Sequence, residues 1–162
     1  MGHWVAAIRE LFEEAGVLMA YTERGGFPDF TLRRVRGLFD AYRRKVQQDR
    51  ISFLHMLCEE RLRLAAGELL YFSHWITPPA SPRRFDTRFF VAMLPRTQVP
   101  RFHEAEVSEA FWIPAKEAVE KARRGELKVI LPTFACLSSV AEYSSVEELF
   151  RGVSGRRPEG RR

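Results

Sequence analysis

The segment AAIRELFEEAGVLMA, residues 6–20, constrains this chain more than any other. Val5, Ile8, Leu11, Phe12 and Ala15 recur at helical spacing, and Gly16 follows them as a stop. At about 100° per residue, with Glu10 at zero, Glu14 falls at about 40° and Glu13 at about −60°. The apolar residues lie at roughly 100° to 220° on the same wheel. Residues 4–15 therefore predict a helix with one face for a core and an opposite face of three carboxylates.

The acid is badly placed for helix stability. Like charges at i,i+4 cost about 0.2–0.5 kcal/mol per pair. The last turns also carry the negative end of the macrodipole, where a cation is preferred. Gly16 suits the left-handed position just past a helix end. Two local rules are broken on one face, a pattern that marks functional sites. A hard divalent cation, Mg2+ or Mn2+, favours carboxylate oxygen and would reverse both penalties. The alternative is a solvated acidic face.

At this point RELFEEAGV, Arg9 to Val17, resembles the second half of the Nudix box, R-E-U-x-E-E-x-G-U with U aliphatic. Arg9, Glu10, Leu11, Glu13, Glu14, Gly16 and Val17 meet every specified position. The resemblance implies hydrolysis of a diphosphate linked to another moiety. It implies that Glu10, Glu13 and Glu14 supply metal ligands and orient or activate water, and that Arg9 holds the carboxylates in place. Such a metal neutralises the diphosphate and lowers the pKa of bound water, and a carboxylate takes the proton.

The full box continues upstream. Counting back from Arg9, its early Glu falls on Met1 and its early Gly before the chain begins. The first strands of a Nudix sheet would also lie upstream. A partial domain leaves a sheet edge unpaired. Residues 1–162 alone are therefore expected to fold poorly or aggregate, with weak activity; a cooperative thermal transition would contradict this. The fold expected is α/β (α+β), a Nudix-like α/β/α sandwich with a mixed sheet lacking its first strands. It spans residues 1–150, with a helical insertion at about 31–66.

Further along, VLMAYT reads as a strand. Val35, Leu38, Phe39, Tyr42 and Val46 predict a helix from Leu32 to about Val46, and Ser52 to Arg61 a second. LLYFSHWIT and DTRFFVAML read as strands, each closed by proline, and EAFWI as a short strand. PAKEAVEKARRGE reads as a helix with Pro114 in its first turn, and LKVIL as a strand or extended lead-in. PTFACLSSVAEY and SVEELFRG read as closing helices. The mixture fits a layered α/β domain.

A second stretch, YFSHWITPPASPRRFDTRFFVAMLP, carries Trp75-Ile76-Thr77-Pro78 and Arg84-Phe85-Asp86-Thr87. With the insertion, it resembles the Nudix branch of the mammalian peroxisomal acyl-CoA diphosphatases and their bacterial relatives. That resemblance implies CoA or acyl-CoA as substrate, giving a 4′-phosphopantetheine product and 3′,5′-ADP. Arg83, Arg84 and Arg88 are placed to bind phosphate by forked hydrogen bonds or to form a solvated basic loop, with Asp86 pairing one of them. Glu106, with Glu109 next, is the candidate for a further ligand or base. The alternative there is a polar loop leading to a buried Trp112. His74 reads as a strand residue and His103 as a loop residue. The stripe of the insertion reads as local packing, with an acyl groove as the other reading.

The totals exclude other classes. No apolar run approaches the ~20 residues of a membrane span, and no signal peptide is seen. Cys58 and Cys136 lie outside any ligand spacing, which reads as two reduced core thiols in a cytoplasmic protein. Net charge is +5, but the tail RGVSGRRPEGRR, residues 151–162, holds five Arg and one Glu and reads as disordered. The remainder is near neutral, which argues against nucleic acid as a partner. The partner expected is a small-molecule nucleotide. The competing reading is a non-catalytic Nudix remnant, or a module that binds a nucleotide or protein.

Overall fold

The computed structural model describes residues 2–80, 83–102 and 110–155, and they form two compact units. The first comprises residues 1–69 and 92–110, the second residues 70–91 and 111–162. Six helices and two two-stranded sheets among the described residues make a mixed α/β chain, as expected.

In the first unit α1 spans Gly2–Ala15 and buries Ile8, Phe12 and Ala15. Full burial of one such side chain as Phe12 contributes about 2 kcal/mol. Gly16 follows at φ +66°, the left-handed stop predicted. Helices α2 (Arg33–Gln47) and α3 (Phe53–Glu59) form the expected helical pair. Phe39, Tyr42 and Val46 of α2 and Phe53, Met56 and Leu57 of α3 are buried, so the stripe is core packing. The Phe12 and Phe53 rings lie 5.9 Å apart. Ser52 caps α3, accepting from His55 N–H at 3.0 Å. Cys58 lies on the exposed side of α3, which corrects its reading as a core thiol; Cys136 is half-buried, and both are free.

The run Val17–Ala20 is fully buried, yet regular pairing covers only β1 (Ala20–Tyr21) against β2 (Arg63–Leu64), antiparallel. The predicted strand is shorter because a side chain replaces the ladder. Gln98, 2% exposed, accepts from Leu18 N–H at 2.9 Å and donates to Leu18 C=O at 3.2 Å. Gln98→Met keeps the volume and strands both backbone groups. It is expected to cost about 2 kcal/mol, read as a lower midpoint in urea unfolding.

In the second unit β3 (Leu69–Ile76) pairs with β4 (Asp86–Ala92), and Thr77 closes the hairpin on Phe85, donating from N–H to C=O at 2.9 Å. Helices α4 (Ala115–Arg123), α5 (Leu131–Val140) and α6 (Val146–Val153) follow. Phe72, Leu149 and Val153 centre the core, with Phe89, Val140 and Tyr143 against them. Two corrections arise here, and one open alternative is decided. Residues 110–113 form no strand, and Trp112 is 79% exposed rather than buried, because no described segment offers them a ladder. Residues 128–130 form no strand and lead into α5, the second of the two alternatives for LKVIL. Pro114 caps α4 from outside its first turn. Helix α6 takes in residues 151–153 of the arginine-rich segment; residues 156–162 lie outside the described ones.

Candidate functional site

Periodicity puts Arg9, Glu10, Glu13 and Glu14 on one face of α1. Arg9 donates to Glu10 and lies 3.5 Å from Glu13, bridging the two carboxylates. Glu10 and Arg9 are about half exposed, whereas the Glu13 side chain is only 22% exposed. Glu14 is exposed. Among the described residues no three His, Cys, Asp or Glu side chains converge closely enough to mark a metal site. The chemistry of the donor set nonetheless fits a hard cation: three carboxylates, no soft ligand, and a surface with access to water.

Burial pushes the Glu13 carboxyl above its ordinary value; Arg9 opposes this, and Glu10, Asp49 and Glu14 reinforce it. An acid that holds its proton more tightly when folded stabilises the fold fully below its unfolded pKa. That contribution is lost as pH rises through the folded pKa. Removing the charge should therefore help at neutral pH, since a half-exposed pair with Arg9 contributes at most about 1 kcal/mol. Glu13→Gln is expected to melt above the parent at pH 7, with the difference closing towards about pH 4. Equal melting temperatures across that range would show that burial does not govern this carboxyl.

The end of α1 is held from another helix. Arg43 of α2, 9% exposed, donates from Nε to Glu13 C=O at 2.8 Å and from Nη2 to Glu14 C=O at 2.7 Å. Its Nη1 reaches Arg101 C=O at 2.8 Å. Gln47 adds a bond to Glu13 C=O at 2.6 Å, and Arg101 N–H one to Ala15 C=O at 2.7 Å. The cation that the helix end wants is thus supplied by Arg43, which corrects the dipole half of the argument for a metal. The clustering of like charge is the half that stands. Gly16 is needed twice over, for its positive φ and because a Cβ there would come 3.0 Å from Arg43 Nη1. Arg43 was missed by motif reading, but a signal existed. It falls at i+4 from Phe39, inside the apolar stripe of α2, where an arginine must find carbonyls or carboxylates.

In the second unit Asp86 receives Arg88 Nη1 at 2.8 Å and also the His74 ring. Asp86 thus pairs with an arginine, as one reading had it, and His74 joins them, which its strand assignment had not included. Arg83 and Arg84 are exposed on the loop before β4. Glu106, Glu109 and His103 lie outside the described residues.

A family model described as the NUDT19 Nudix domain matches residues 1–140. The acyl-coenzyme A diphosphatase NUDT19 of Homo sapiens is 33% identical over 164 residues, which cover 96% of this chain and 43% of the relative. That of Gallus gallus is 32% identical over 171 residues, covering 96% and 45%. The chain thus spans less than half the length of these curated relatives. The crystal structure of a NUDIX hydrolase from Alicyclobacillus acidocaldarius matches 89% of this chain and 63% of its own, at 30% identity and a TM-score of 0.67.

Proposed function

The chain belongs to the Nudix hydrolase family, in the branch of the NUDT19 Nudix domain, and from that premise we propose that it hydrolyses a diphosphate in CoA or acyl-CoA with Mg2+ or Mn2+. The observation that carries this is the array Arg9, Glu10, Glu13 and Glu14 on one helical face, inside the matched residues. The names of the curated relatives support the substrate class.

Glu10, Glu13 and Glu14 would hold the cation, which when bound supplies charge neutralisation at the diphosphate and a more acidic water. Arg9 limits the rotamers of Glu10 and Glu13 through its bridge. Glu13, with its raised affinity for a proton, is the group suited to take one from the attacking water. The water oxygen then forms the new P–O bond as the bridging P–O bond breaks. Arg43 and Gln47 fix the backbone under Glu13 and Glu14, so the acidic turn keeps its shape as charge develops. In the second unit Arg84 and Arg88 are the proposed phosphate contacts, Arg88 oriented by Asp86. Glu106 remains the proposed additional base.

The test is a hydrolysis screen of CoA, acyl-CoAs, ADP-ribose and NADH with Mg2+, Mn2+ or a chelator. Turnover of the CoA compounds that the chelator abolishes is the expected result. One observation favours the second reading, a binding module without hydrolysis: no metal cluster is assembled among the described residues. Folded protein that binds CoA by calorimetry yet shows no turnover, and no Mn2+ binding at millimolar concentration, would establish that reading instead.

A further inference from the structure

A recess in the first unit opens beside Gly16, two positions past Glu14, and its walls come from α2, from residues 30–31 before it and from residues 97–101. Phe30 and Val99 give apolar wall, and Arg36, Asp40 and Arg101 give charge, in a volume of about 340 Å3. Arg101 Nη1 is paired with Asp40 at 3.0 Å. Arg36 is half-buried, and among the described residues its guanidinium has no hydrogen-bond or ion-pair partner. Among the described residues the lining therefore carries one positive charge more than it pairs. A guanidinium at the edge of an apolar wall, its stem half-buried and its head unpaired among the described residues, presents a planar fork that matches phosphate oxygens.

We propose that this recess is a phosphate subsite, in which Arg36, with Arg101 beside it, receives a phosphate group of the substrate. The inference rests on the diphosphatase reading for the identity of that substrate, but not for the existence of the subsite. Asp40 holds Arg101 in place and leaves Arg36 as the unshared donor. The recess adjoins the end of the acidic helix, so a phosphate seated there would anchor one end of the substrate near Glu14. CoA offers two such groups, a terminal 3′-phosphate and the diphosphate itself.

The experiment compares CoA with 3′-dephospho-CoA as substrates, in the parent and in Arg36→Gln, alongside calorimetry with 3′,5′-ADP. Loss of the charged fork should raise KM by at least about 10-fold with kcat little changed. A rise for CoA alone assigns the 3′-phosphate, and a rise for both assigns the diphosphate; each supports the subsite. Val99→Glu, at an exposed wall position, should weaken 3′,5′-ADP binding in the same direction without touching Arg36. Should the parent turn over neither substrate, the diphosphatase reading fails, and calorimetry still decides the subsite. Binding of 3′,5′-ADP that weakens at least about 10-fold in Arg36→Gln sustains it. Unchanged KM for both substrates, or 3′,5′-ADP binding that is absent or indifferent to both variants, overturns it.

Discussion

A protein carrying Glu14→Gln should keep its melting temperature and lose about 10²-fold or more of its turnover of CoA. The two halves of that expectation come from different observations. Glu14 is exposed, and among the described residues its carboxylate makes no hydrogen bond or ion pair, so glutamine removes no contact that holds the fold. Its backbone carbonyl, which does hold the fold through Arg43, is untouched by the substitution. One acidic oxygen pair is replaced by an amide of the same shape, which binds a hard cation far more weakly. Turnover and thermal melting measured on the same preparation separate the effects. Unchanged turnover would remove Glu14 from the machinery, and a large drop in melting temperature would assign it a structural role.

Arg43→Leu is expected to destabilise the protein by about 3 kcal/mol, because three carbonyls lose a charged donor in a buried place. For a chain of this size that corresponds to a fall of about 6–12 °C in melting temperature. Arg43→Lys keeps the charge but has no planar fork, so it should recover less than half of the loss. Turnover should fall as well, since the last turn of α1 carries Glu13 and Glu14 and would lose its anchor. A Leu variant that melts within about 2 °C of the parent would show that solvent or Gln47 satisfies those carbonyls.

The legible parts were those governed by short-range repetition. The faces of α1, its stop at Gly16, the helices α2 and α3 and the separate strands β3 and β4 all followed from spacing and from glycine and proline. The strand over residues 17–22 was overextended because period and composition identify burial, not the hydrogen-bond partner. A glutamine 80 positions away supplied that partner for Leu18. The short strand and the buried Trp112 over residues 110–113 failed for a related reason: an apolar run becomes a strand only where a neighbouring backbone is available.

The end of α1 shows the same division. Local rules identify a helix end that needs a cation, but they do not say whether a metal ion or a side chain supplies it. The structure places Arg43 there, from 30 positions along the chain, and leaves the carboxylate cluster as the remaining case for the ion.

By itself, then, the sequence determined that three carboxylates and an arginine share one exposed face of a helix whose other face is core. A helix repeats every 3.6 residues whatever surrounds it, so that pattern is written in nine consecutive residues. Only the tertiary structure decided which groups satisfy the end of that helix, which amide replaces the missing ladder at Leu18, and which arginine is left half-buried beside Gly16. Those outcomes depend on side chains meeting across tens of residues, where packing and hydrogen-bond geometry select the partner and no local period records it.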